Sequence, residues 1–172
     1  MVGSGYASAA VAAQAVEIAI PAVEPSISIR YEVPAYNQGG YNLCWAFCQI
    51  MVEDYQAGVL RTNEQATRSA IELAIEVHGA NGIEDRDKWN TGGLPNNVRY
   101  WDLQHKFNTL EDLYNLLLEY GPIYADYGSY STEYGHVVVV TGVNLTRGTI
   151  YTNNPWGTYG EQTFDEFLNG FI

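Results

Sequence analysis

The sequence predicts an α+β fold, with helices in its first half and an antiparallel sheet in its second. Three observations carry this. Apolar residues recur at helical spacing after residue 43, beginning with Trp45, Phe47, Cys48, Met51, Val52 and Tyr55. From Pro122 onward the pattern changes to short β-rich runs, of which Val137-Val-Val-Val140 is the most concentrated. Helices gathered before strands, instead of alternating with them, belong to an α+β arrangement.

Residues 1–25 are rich in Ala and Val and read as a helix ending at Ile20-Pro21, followed by a Pro-punctuated extended stretch. This segment is expected to stand apart from a domain at 26–172, as a propeptide remnant or linker. It has no Lys or Arg before Arg30, so it lacks the positive start of a Sec signal peptide. Ser26 to Val33 alternates through Ile27, Ile29, Tyr31 and Val33, which predicts a strand. A helix from Leu43 to Gln56 is stopped by Gly58. Thr62-x-x-Gln65 is a capping box opening a second helix to Val77, stopped by Gly79. Residues 79–95, rich in Gly, Asn and Asp, predict a surface loop, and a short helix follows over Pro95–Gln104. Thr109 caps a further helix with Leu113, Leu116 and Leu117 on one face and Gly121 as its stop. Strands are expected at Ile123–Tyr127, His136–Val143, Thr149–Thr152 and Glu161–Thr163, with a helical turn at Phe164–Leu168.

At 172 residues and 47% hydrophobic, the chain suits one domain with a sizeable core. Its net charge is −12, and its eight Lys and Arg are scattered. Binding to nucleic acid or to an anionic membrane depends on basic patches, so neither is expected as a partner. No apolar run approaches the ~20 residues that span a bilayer. Glu32, Glu53 and Asp54, in a stretch with no basic residue, read as a solvated acidic face. The compartment stays open, and a monomer is expected.

Two cysteines one helical turn apart make no disulfide framework, and Cys48 reads as a small buried apolar residue. Cys44 and Cys48 with one His would be a badly spaced zinc site, so no metal is expected. His78, before Gly79 at a helix end, reads as a dipole partner, and His105 as exposed. Gly39-Gly40 and Gly92-Gly93 lack the Lys-Ser/Thr of a phosphate loop, so no nucleotide cofactor is expected either.

The chemistry-bearing pattern starts at Gln38, six residues before Cys44 across a glycine-containing loop. Cys44 falls in the first turn of the first helix. There the positive end of the helix favours thiolate, the nucleophilic form. A carbonyl attacked by a thiolate becomes an oxyanion, and the Cys44 N–H with the Gln38 amide can supply its donors. A thiol also needs a base, and that base needs a group to fix its tautomer. His136 leads the valine strand, and Asn154-Pro-Trp-Gly157 begins eighteen residues later. Asn154 is the candidate orienter, with Asn153 its rival.

These residues resemble the papain-like cysteine peptidases. The matching pieces are Gln38 with Cys44-Trp-Ala-Phe47, Gly135-His136 before the valines, and Asn154-x-Trp156-Gly157. His136 lies 92 residues after Cys44, shorter than in the plant and lysosomal branch. The chain is more similar to compact bacterial branches, the AvrRpt2-type effector proteases and the peptidase domains of bacteriocin exporters. Many of their members carry Asp where this chain has Asn154.

The resemblance implies a papain-like fold, a helical half with the nucleophile and a sheet half with the base, and an active-site cleft between them. It implies Cys44, His136, Asn154 and Gln38 as catalytic residues. Trp45, Gly93, Gly135 and Trp156 are expected along the substrate cleft. The implied activity is peptide-bond cleavage in a protein or peptide substrate, with no cofactor, in a secreted or host-delivered effector. The alternatives are another acyl transfer (deamidation, transglutamination or transpeptidation) and an idle papain-like binding module.

Overall fold

The computed structural model describes residues 27–79, 108–127 and 136–169. They form β1 (Ser28–Arg30), α1 (Cys44–Ala57), α2 (Asn63–His78) and α3 (Leu110–Tyr120). These are followed by β2 (Ile123–Tyr127), β3 (His136–Asn144), β4 (Thr149–Asn154), β5 (Thr158–Thr163) and α4 (Phe164–Leu168). The N-terminal segment 1–25, the loop of 80–95 and the helix expected at Pro95–Gln104 lie outside the described residues, as does His105.

The fold is α+β, and its sheet is antiparallel throughout, built around β3. β1 and β2 share one edge of β3, with Ile29 opposite Val143 and Tyr124 opposite Val139. β4 takes the other edge and β5 lies outside it. Every residue of β3 is buried because both faces of the sheet are covered. Val137 and Val139 pack on one face with Phe47, Ile50 and Met51 of α1 and Ala66, Ala70 and Ala74 of α2. Val138, Val140 and Val143 pack on the other with Leu113 and Leu117 of α3, Ile150 and Phe167. A strand covered on both faces reads as continuous apolar sequence, so the four valines run without alternation.

The helix starts follow the sequence closely. Thr62 with Gln65 and Thr109 with Asp112 form capping boxes, and a third, Thr163 with Glu166, opens α4. The strand bounds differ more. β1 covers only Ser28–Arg30 of the alternating stretch, because β2 takes the same edge of β3 beyond Gly142, with Ile123 opposite Val140. At Gly142 β1 lies so close that a Cβ would meet the Ile29 carbonyl oxygen and the Arg30 Cα. β4 extends to Asn154 and β5 begins at Thr158, so Asn154-Pro-Trp-Gly157 leads directly into a hairpin partner.

The acidic stretch is not uniformly solvated. Glu32 and Glu53 are exposed, but Asp54 is 1% exposed. The Tyr36 hydroxyl donates to Asp54 Oδ2 at 2.7 Å, and Arg61 Nε lies 3.1 Å from Oδ1. The Arg61 backbone N–H donates to the Tyr36 hydroxyl at 3.0 Å, closing a three-residue network. A carboxylate leaves water only with such partners, and its cation stands just beyond the stretch that lacks one.

Candidate active site

Cys44 is the first residue of α1 and is half-buried. The residue before it, Leu43, provides no side-chain cap, and the first turn contains no acid. The other described helices all begin with a threonine capping box. At α1, therefore, the N-cap side chain provides no acceptor, and the positive end of the helix stands at the thiol. One turn further, the Cys48 thiol donates to the Val137 carbonyl at 3.3 Å, which sets the first turn of α1 against the head of β3. Neither cysteine is in a disulfide. Cys48 is fully buried, and burial pushes its thiol well above the ordinary range.

His136 opens β3, 7% exposed, with Nε2 3.0 Å from Asn154 Oδ1. The same oxygen accepts the Trp156 backbone N–H at 3.0 Å. That contact decides the tautomer. A backbone N–H can only donate, so the atom facing it must be the amide oxygen, and Nε2 must carry the proton. In the neutral ring, Nδ1 is then the lone-pair nitrogen. The Trp156 indole stacks on the imidazole at 4.3 Å between centroids and 23° between planes, and is itself 45% exposed. Asn153 points elsewhere. Its Nδ2 donates to the Val33 carbonyl at 2.8 Å and to that of Pro34 at 3.3 Å, tying β4 to the segment after β1.

Gln38 is buried, and its Oε1 has no hydrogen-bond partner among the described residues. Its backbone N–H donates to the Pro155 carbonyl at 2.7 Å, and its carbonyl accepts the Tyr41 N–H at 3.2 Å. Asn37 makes an isolated antiparallel bridge with Trp156. The loop before the thiol is thus fastened to the turn that carries Asn154. Of the expected cleft residues, Trp156 lies at the imidazole, and Gly93 and Gly135 lie outside the described residues. Trp45 is 3% exposed and packs in the core, edge-on to His78 at 5.7 Å. It offers a cleft almost no surface. Among the described residues no group of His, Cys, Asp or Glu converges in a way that would hold a metal.

The family model described as papain-like cysteine protease AvrRpt2 matches residues 27–170. The chain belongs to this family. Of the two compact branches the sequence resembles, the AvrRpt2 branch is therefore the right one. Membership accounts for the α+β architecture and implies a protein substrate. No curated protein and no solved structure matches the chain. No described helix is long and apolar enough to cross a membrane.

Proposed function

We propose that this protein is a cysteine endopeptidase that cleaves peptide bonds through a thioester on Cys44. The observation that carries the proposal is the shared acceptor Asn154 Oδ1, which fixes the His136 proton on Nε2 and leaves Nδ1 as the base. Nδ1 takes the Cys44 proton, and the thiolate attacks the scissile carbonyl carbon. A C–S bond forms and the carbonyl π pair moves to oxygen. The Cys44 N–H, at the start of α1, and the Gln38 amide stabilise that oxyanion. An amide whose oxygen is turned inward directs its NH₂ the other way, which suits Gln38 to the role.

Collapse of the intermediate re-forms C=O and expels the amine, which takes the proton from His136. Water then attacks the thioester as His136 accepts its proton, releasing the carboxylic acid and the thiol. Trp156, stacked on the ring, shields the His136–Asn154 bond and strengthens it by lowering the local dielectric. Trp156 also borders the substrate cleft. The AvrRpt2 name of the family suggests a bacterial effector, and secretion or delivery to a host is part of the same reading.

The test is a profile of cleaved products from a mixed peptide library, with Cys44→Ala as the control. Cleavage that disappears in Cys44→Ala supports the proposal. Products carrying a new amide instead of a new carboxylate would assign the chain to another acyl transfer. No turnover and no acyl-enzyme would leave a binding module.

A further inference from the structure

We infer that Asn63, at the start of α2, is a positioning residue for the oxyanion donor Gln38 and acts through the backbone of Asn37. The inference rests on the proposed peptidase reading. Asn63 lies 26 residues from Asn37 in sequence, yet its side-chain amide makes two hydrogen bonds to the Asn37 main chain. Oδ1 accepts the Asn37 N–H at 2.6 Å, and Nδ2 donates to the Asn37 carbonyl at 2.9 Å. The amide thus pairs with Asn37 as a neighbouring strand would.

The Asn37 carbonyl and the Gln38 N–H belong to one peptide unit and point in opposite directions. Asn63 holds the carbonyl end, and the Pro155 carbonyl holds the N–H end at 2.7 Å. The plane from which the Gln38 side chain departs is therefore gripped from two sides, by α2 and by the turn after β4. Two further contacts fix the same residue. Asn37 Oδ1 accepts the Gly39 N–H at 2.8 Å. The Asn37 amide also occupies the place of a side chain at Gly157, where a Cβ would stand 2.8 Å from Asn37 Nδ2.

Asn63 contributes little else. It is exposed, and the capping of α2 is done by Thr62 with Gln65. A merely structural Asn63 would change stability slightly and turnover not at all. If it sets the Gln38 plane, its loss lets the amide drift from the oxyanion. A displacement of about 1 Å at a reacting centre costs on the order of a hundredfold in rate.

The experiment compares peptide turnover, affinity for a peptide aldehyde and iodoacetamide alkylation of Cys44 in wild type, Asn63→Ala, Gln38→Ala and the double variant. The aldehyde adduct develops an oxyanion; alkylation, a displacement of iodide, does not. Asn63→Ala should lower kcat about 10- to 100-fold with KM within about twofold. Aldehyde affinity should fall in step, and alkylation should stay at the wild-type rate. Added to Gln38→Ala, itself slower by about 10²–10³, it should cost less than about twofold more. Asn63→Asp, which keeps the acceptor and loses the donor, should recover part of the loss.

A kcat for Asn63→Ala within about threefold of wild type overturns the inference. So does a loss that persists in the Gln38→Ala background, or one shared by alkylation. Failure of the underlying reading looks different: Gln38→Ala would then match wild type, or Cys44→Ala would still cleave.

Discussion

Asn153 and Asn154 are adjacent asparagines on one strand, and the structure assigns them opposite consequences when each is replaced by Ala. Asn154 Oδ1 faces His136 Nε2, and in the proposed reaction that ring becomes cationic as the thiol is deprotonated. A hydrogen bond to a charged group is worth about 1.5–3 kcal/mol. At 1.36 kcal/mol per tenfold, Asn154→Ala should lower kcat by about 10- to 150-fold. Asn154 is half-buried and the Trp156 N–H it also holds is exposed, so water replaces the lost acceptor and stability changes little. Asn153 is 2% exposed, and its amide serves the carbonyls of Val33 and Pro34. Removing it strands a buried carbonyl at a cost of about 2 kcal/mol. For a chain of this size that lowers the melting temperature by roughly 4–8 °C. Turnover per folded molecule should remain near wild type. The assay is a thermal melt beside peptide turnover for both variants. Wild-type turnover in Asn154→Ala with collapse in Asn153→Ala, at equal stability, would refute the assignment.

Three further outcomes follow from the packing. Iodoacetamide should label Cys44 in the native protein and Cys48 only after denaturation, because Cys48 is fully buried with its thiol bonded to Val137; equal native labelling would contradict this. Gly142→Ala should destabilise the chain by about 2–3 kcal/mol in a urea melt, since the new methyl collides with the backbone of β1; an unchanged midpoint would show that β1 does not cross there. Burial holds the Tyr36 phenol up at about 12 against an ordinary 10.0, so the folded chain keeps a proton the unfolded chain releases. That stabilising share is whole below pH 10 and is lost as pH rises to 12, so Tyr36→Phe should flatten the fall in melting temperature across this window. Equal slopes for the two proteins would contradict it.

Helices were legible because their signals are local. Thr62-x-x-Gln65, Thr109 and the glycines at 58, 79 and 121 mark ends that the structure keeps within a residue or two. β3 was legible through its valines, which need apolar cover on both faces. β5 was caught only over its last residues, because an edge strand that is mostly exposed needs no apolar alternation. Ser26 to Val33 reads as one strand, but how far it pairs depends on β2, which takes the rest of that edge of β3.

The candidate site divides in the same way. Cys44, His136, Asn154 and Gln38 stand in motifs whose spacing marks them as candidates. The choice between Asn153 and Asn154 needed coordinates, because alternation on a strand decides which amide meets the imidazole. Asn37 and Asn63 left no signal, since a side-chain amide bonded to a distant main chain follows no period. Asp54 was misread for a related reason: its partners Tyr36 and Arg61 are brought to it by the fold.

The central claim is that acyl transfer passes through Cys44, and the direct measurement is intact-mass analysis of enzyme quenched in acid during turnover of a peptide ester. The account predicts an adduct equal to the acyl fragment without its leaving group, mapped to Cys44 and missing in Cys44→Ala. An adduct on any other residue, or wild-type cleavage by Cys44→Ala, would contradict it.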